Sequence, residues 1–310
     1  MNNAPDSWVT GRVIARFPGS CEVTLPSAAE PVRARISGSF RYRAVSAADY
    51  PVVGDQVMLS DHGTVIQQVL PRKSLLSRQS AGKTVTEQAL AANVDLVLLI
   101  FGLDGFRNFS DGLLERLLTL VYASGASPAI ILNKADQAVP EHTMSITARI
   151  GYLAPGIPIV ITSAAEGTGV QEAGALISTG KTACCIGRSG VGKSSLINRL
   201  IEQNSAVIGK VREFDHKGRH TTTTSRLYTL SNGGMIIDSP GLREIQLWGD
   251  ESALDDNFAD VAGFAADCKF RDCTHRSEPG CAVQKAVSEG ILPLSRFEHY
   301  LEQRKEMNLQ

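Results

Sequence analysis

The sequence has no apolar run long enough to cross a membrane. The stretch around Val97 to Phe101 is strand-sized, far short of the roughly 18 residues a spanning helix needs. The N-terminus, MNNAPDSW, has neither a basic start nor an apolar segment, so no secretory signal is read and a cytoplasmic protein is expected. Cysteine is sparse, with six residues in 310. In a reducing compartment these cannot form a disulfide framework and are either metal ligands or packing residues. There is no internal repeat, no low-complexity tract and no overall charge excess, the formal net charge being -1. Composition therefore excludes membrane and small disulfide-stapled classes, and 310 residues exceed what one compact core usually holds, so a multidomain soluble protein is expected.

The balanced net charge hides an asymmetry. Residues 8 to 83 carry ten Lys or Arg against five acids, whereas the chain from Leu242 onward carries eight basic against thirteen acidic residues. A basic N-terminal module is suited to phosphate backbones, although a solvated basic surface would look the same. From Trp8 to Val69 short alternating runs (VTGRVIARF, CEVTL, VRARISG, DQVMLS, GTVIQQVL) predict five antiparallel strands of a small closed barrel, an OB-fold or an SH3-like barrel. Beyond Pro71 strands and helices alternate. TVTEQALAAN reads as a helix, VDLVLLIF as a buried strand, SDGLLERLLTLVYASG as an amphipathic helix capped by Ser110, and PAIIL, IPIVI, TACCI and MIID as further strands. That rhythm predicts a parallel sheet covered by helices. After Gly241 it gives way to helical segments around a Cys/His cluster.

Gly187, Arg188, Ser189, Gly190, Val191, Gly192, Lys193 and Ser194 match G-x-x-x-x-G-K-[ST] between the strand TACCI and the helix SSLINRLI, which begins at Ser194 and Ser195. Such a loop points successive amides at phosphates, and the helix N-terminus adds positive potential. Lys193 is expected on the outer phosphates and the Ser194 hydroxyl on Mg2+. Asn133, Lys134, Ala135 and Asp136 form N-K-x-D after PAIIL. A carboxylate there accepts from both N1-H and the exocyclic amine of guanine, a donor pair adenine lacks. Ser163 and Ala164, within Thr-Ser-Ala after IPIVI, are expected in the second base-contacting loop. Asp238 and Gly241 in Asp-Ser-Pro-Gly match D-x-x-G, the Asp holding Mg2+ through water. The run Gly218 to Thr224 offers Thr222, with Thr223 as second choice, as a further Mg2+ ligand.

Asn133 precedes Lys193 by sixty residues, the reverse of the ordinary GTPase order. A parallel sheet tolerates such a circular permutation because each strand–helix unit packs in the same place whichever is visited first. Leu242 occupies the position where many GTPases carry a water-orienting Gln, so His220 is the candidate for that role, alongside Lys193 and Thr222 as catalytic residues. Cys268, Cys273, His275 and Cys281 lie within fourteen residues and supply a closed tetrahedral Zn2+ set with no open position for catalysis. Cys21, Cys184 and Cys185 read as packing residues.

In this order, N-K-A-D, T-S-A, G-R-S-G-V-G-K-S, H-T-T-T, D-S-P-G and the Cys3His cluster closely resemble the RsgA (YjeQ) family, over nearly the whole chain. The resemblance implies an N-terminal OB-fold for RNA over 1–80, a circularly permuted GTPase domain over 81–245 and a C-terminal helical zinc domain over 246–310. It further implies a GTPase stimulated by the small ribosomal subunit during its late maturation, with GTP and GDP, that subunit and its rRNA as partners. One structural Zn2+ and Mg2+ with GTP would be the cofactors, and the chain would be a monomer. An RNA-binding scaffold with incidental turnover is the alternative. An ATP-dependent enzyme shares the phosphate loop alone and is argued against by Asp136.

Overall fold

The structure is a computed structural model and describes residues 8–79, 87–105, 108–203, 225–239, 242 and 251–306. The five alternating runs form β1 (Val9–Phe17), β2 (Ser20–Thr24), β3 (Val32–Ile36), β4 (Gln56–Ser60) and β5 (Val65–Val69), with the short helix α1 (Gly38–Arg43) between β3 and β4. Their alternation aims Val13, Cys21, Val23, Ala34, Val57, Leu59 and Ile66 into one core. The strand order is β1-β2-β3-β5-β4, closed by β4 on β1, and β3 and β5 are parallel. This Greek-key closure is that of an OB-fold.

A two-stranded hairpin follows, β6 (Leu75–Gln79) with β7 (Glu87–Ala92). Here the structure corrects the helix expected over TVTEQALAAN. Its Glu, Gln, Ala and Leu are good helix formers, but Ala89 to Ala92 are all buried. Ala91 packs into the large central core, while Ala89 and Ala92 pack with Val52. Small side chains also let backbones meet closely: a Cβ on Gly54 would lie 2.0 Å from the Ala92 carbonyl oxygen. Tertiary packing overrides the local preference.

The α/β part comprises β8 (Leu96–Gly102), α2 (Asp111–Ala123), β9 (Ser127–Asn133), α3 (Pro140–Leu153), β10 (Ile159–Ile161), α4 (Val170–Ala175), β11 (Thr182–Ile186), α5 (Lys193–Gln203), β12 (Arg226–Thr229) and β13 (Met235–Asp238). As expected, Ser110 caps α2, its hydroxyl accepting from the Leu113 amide. The sheet runs β10-β9-β8-β11-β13-β12, parallel except for β12. Both faces of β8 are buried, Val97, Leu99 and Phe101 in one core and Leu98 and Ile100 in the other, which is why it reads as a continuous apolar run. The sheet continues into the barrel, β12 pairing with β1 at Arg226 and Ala15. The last section is helical, α6 (Glu251–Asn257), α7 (Ala259–Ala265), α8 (Ala282–Ser288) and α9 (Leu294–Glu306), around a core that includes Leu254, Phe258, Phe297 and Tyr300. Among the described residues no helix is long and apolar enough to cross a membrane.

Candidate functional site

The predicted phosphate loop and both predicted base loops follow the C-terminal ends of parallel strands, the loop 187–192 after β11, Asn133 to Asp136 at the end of β9, and Thr162 to Ala164 after β10. Open α/β sheets bind ligands at that edge. Two of the loop glycines, Gly187 and Gly192, are required by close approach. A Cβ on Gly187 would lie 2.3 Å from the Ile100 carbonyl oxygen, and one on Gly192, at φ +95°, would lie 2.2 Å from Asn133 Nδ2. The Lys193 ammonium is drawn into the loop, donating to the carbonyls of Gly187 at 2.6 Å and Arg188 at 2.5 Å. Ser194 and Ser195 open α5 behind it.

The buried Asn133 side chain joins the three loops. Its Nδ2 donates to the Val191 carbonyl at 2.9 Å, and its Oδ1 accepts from Thr162 Oγ1 at 3.0 Å and from the Ala164 amide at 3.1 Å. Ser163 Oγ donates to Asp136 Oδ1 at 2.5 Å, and that hydroxyl, more than any other contact, holds the Asp136 carboxyl below its ordinary range. The carboxylate form is therefore present at neutral pH, as an acceptor for paired N-H donors requires. Lys134 turns out of β9 in the left-handed conformation, φ 66°, with its ammonium on Asp104. Arg199 of α5 reaches across to the carbonyls of Ala164 and Ala165 at 3.0 and 2.9 Å. Arg199 and Asp104 escaped the sequence reading because each acts on a partner at least 30 residues away and belongs to no spacing motif.

Asp238 ends β13 next to the phosphate-loop strand. The following Ser239 shares a hydrogen bond with Ser225, their hydroxyl oxygens 2.6 Å apart, across the start of β12. Leu242 is buried in the central core. His220, Thr222, Thr223 and Gly241 lie outside the described residues.

Between α7 and α8 the four expected metal ligands converge. The ligand atoms of Cys268, Cys273, His275 and Cys281 all lie within 4.8 Å of one another. His275 Nδ1 is 3.6 Å from Cys268 Sγ and 3.4 Å from Cys281 Sγ, and those sulfurs are 3.9 Å apart. A tetrahedral ion bonded at about 2.3 Å to sulfur and about 2.0 Å to nitrogen spaces its ligands about 3.5–3.8 Å apart, so the set fits a four-coordinate metal. Burial, aided by the nearby Arg304 charge, lowers the His275 pKa and favours the neutral ring a metal needs. Gln284 ties the site down, its amide donating to Cys281 Sγ at 3.4 Å and its side chain to the His275 carbonyl at 3.0 Å. Glu278 accepts from the amides of Thr274, Arg276 and Ser277, and its carboxyl is pulled far below the usual range, chiefly by the Thr274 hydroxyl.

Comparison with known proteins agrees with this geometry. The RsgA GTPase family model matches residues 69–248. The chain is 39% identical over 307 residues to the small ribosomal subunit biogenesis GTPase RsgA of Methanosarcina acetivorans, covering 98% of this chain and 80% of that protein. It is 36% identical over 299 residues to the protein of the same name from Streptomyces coelicolor, covering 96% and 80%. Among solved structures it is similar to YjeQ from Thermotoga maritima, with a TM-score of 0.71 and 27% identity over 98% of this chain and 99% of that one. It is also similar to YloQ, a circularly permuted GTPase, with a TM-score of 0.69 and 25% identity over 99% and 98%. A family model spanning more than half the chain, and relatives matched along nearly all of it, establish that this GTP-hydrolysing, circularly permuted protein belongs to the RsgA GTPase family.

Proposed function

We propose that the chain hydrolyses GTP to GDP and phosphate during late maturation of the small ribosomal subunit, that the subunit stimulates hydrolysis, and that the flanking domains bind rRNA. The observation that carries the nucleotide part is Asn133, whose one side chain fastens the phosphate loop to both base loops. In this reading Asp136 selects guanine with Ser163 and Ala164 beside it, and the amides of residues 187 to 192 with Lys193 and Ser195 hold the phosphates. Ser194, Thr222 and, through water, Asp238 would hold Mg2+, which supplies charge neutralisation at the phosphates when bound. Gly241 would sense the terminal phosphate.

The buried Leu242 has no group with which to orient a water, which supports assigning that task to His220. Three cysteines and one histidine favour Zn2+ in a structural site. The units would run over 1–80, 81–245 and 246–310 in a cytoplasmic monomer, and the small ribosomal subunit as the target is supported by the names of the relatives. Because D-S-P-G leads directly into the C-terminal unit, GTP would order the switches and fix both flanking units in a ribosome-binding arrangement that hydrolysis releases. Equal subunit affinity in the GTP and GDP states would sink that coupling.

The test is GTP and ATP hydrolysis by the purified protein with and without small ribosomal subunits, including a His220→Ala variant. Stimulation confined to GTP and lost in the variant is expected. No stimulation would favour an RNA-binding scaffold with incidental turnover.

A further inference from the structure

We propose that Asp104 is a positioning residue of the nucleotide site, holding the Lys134 ammonium so that the lysine stem lies along the bound base. The proposal rests on reading Asn133 to Asp136 as the guanine loop. Asp104 Oδ2 accepts from Lys134 Nζ at 2.5 Å, and Oδ1 accepts from Asn108 Nδ2 at 2.7 Å. Both side chains of the ion pair are about one-quarter exposed, 24% for Lys134 and 23% for Asp104, as expected at the mouth of a cleft.

The backbone around this carboxylate is fixed. The Leu103 amide donates to the Asn133 carbonyl at 2.8 Å, and the Leu103 side chain is buried in the central core. Phe109 is also buried, edge-on to Phe101 with ring centroids 5.2 Å apart. Gly102 leaves room for the side chain to fold back, since a Cβ there would stand 2.5 Å from Asp104 Oδ1 and 3.6 Å from the Val191 Cα. Asp104 is thus anchored between the phosphate loop and the base loop.

A carboxylate in that place repels a ligand carrying several negative charges, so by itself it weakens nucleotide binding. It is offset by what it does to Lys134. Lysine loses substantial rotamer freedom when it is immobilised on a ligand. A tether that fixes the side chain beforehand removes that cost from the binding step, which is preorganisation.

The experiment measures dissociation constants for fluorescent GDP with the full chain carrying Asp104→Asn, Lys134→Ala, both together, and Asn108→Ala, each checked for folding by circular dichroism. Immobilising one long side chain corresponds to about a 2- to 12-fold change in affinity, and that loss is expected for Asp104→Asn. A smaller loss of the same sign is expected for Asn108→Ala, which carries the test should Asp104→Asn misfold. In the Lys134→Ala background Asp104→Asn should add nothing, because its effect runs through the lysine. Unchanged or tighter binding in Asp104→Asn, or the same loss with and without Lys134, overturns the proposal. If Lys134→Ala itself binds GDP as the wild type does, the guanine-loop reading has failed at that lysine and this proposal falls with it. A loss in Lys134→Ala without one in Asp104→Asn overturns the Asp104 assignment alone.

Discussion

Leu242 follows the D-x-x-G glycine, yet its side chain is only 1% exposed and packs in the core that contains β8 and β9 residues such as Leu99 and Ile130. Replacing it with the glutamine of many GTPases puts an amide into that core without partners, at a cost of about 1–3 kcal/mol. Leu242→Gln should therefore lower stability by that amount in urea denaturation and leave intrinsic single-turnover GTP hydrolysis no faster. A variant of undiminished stability with faster hydrolysis would show that the side chain can leave the core and orient water. Asp136 gives the complementary test. Asp136→Asn exchanges an acceptor for a donor where guanine presents donors, so competition binding should shift preference from guanine toward xanthine nucleotides. Unchanged selectivity would remove Asp136 from the base site. At this scale the motif residues were legible because each motif fixes a local backbone and its chemistry together. Asp104 and Arg199 were not, because their partners are brought near only by the order of strands in the sheet.

The barrel strands could be read because one face of each is buried, which writes a period of two into the sequence. The choice between OB-fold and SH3-like barrel could not, since it depends on β3 lying parallel to β5, a pairing of strands separated by α1 and β4. β7 was misread for a related reason. A strand of small residues, buried in part beneath Val52, carries no alternation to distinguish it from a helix. The metal elements are a different case, because ligand spacing alone announced them. Cys281 is the N-cap of α8, its sulfur accepting from the Gln284 amide, and Cys273 and Cys281 both sit within the small C-terminal core. Binding energy at such a site is folding energy. Chelation, or Cys281→Ser, should therefore abolish hydrogen-exchange protection in α7 and α8 while leaving β8, β9 and β11 protected. Protection of α7 and α8 that survives metal removal would show that the apolar core suffices.

Across the whole molecule both flanking parts are fastened to the α/β sheet by charge as well as by packing. On the barrel side, Arg226 of β12 pairs with Glu22 of β2 beside the strand junction, and Arg12 donates to Met235 of β13. On the C-terminal side the contact is buried. Glu115 of α2 is inaccessible to solvent and accepts from Arg296 at 2.7 Å and from His299 at 2.5 Å. Arg296 also engages Asp260 through two bonds of 3.0 Å and the Asn257 carbonyl at 2.8 Å. Asn257 in turn donates to the Glu115 carbonyl and to Thr119, whose hydroxyl bonds Gln303. Burial works against the Arg296 charge, but Asp260 and Glu115 outweigh it and raise its pKa. Removing one member of such a buried pair strands the other, at about 3–5 kcal/mol, whereas replacing both by apolar residues of similar size is often neutral. Arg296→Ala should accordingly cost about 3–5 kcal/mol and expose the C-terminal helices to limited proteolysis with the metal still bound, and Glu115→Leu combined with Arg296→Met should recover most of the loss. Equal damage in the single and paired variants would mean that the network specifies how α9 docks on α2 through its hydrogen bonds, and that charge pairing is not what holds the C-terminal part in place.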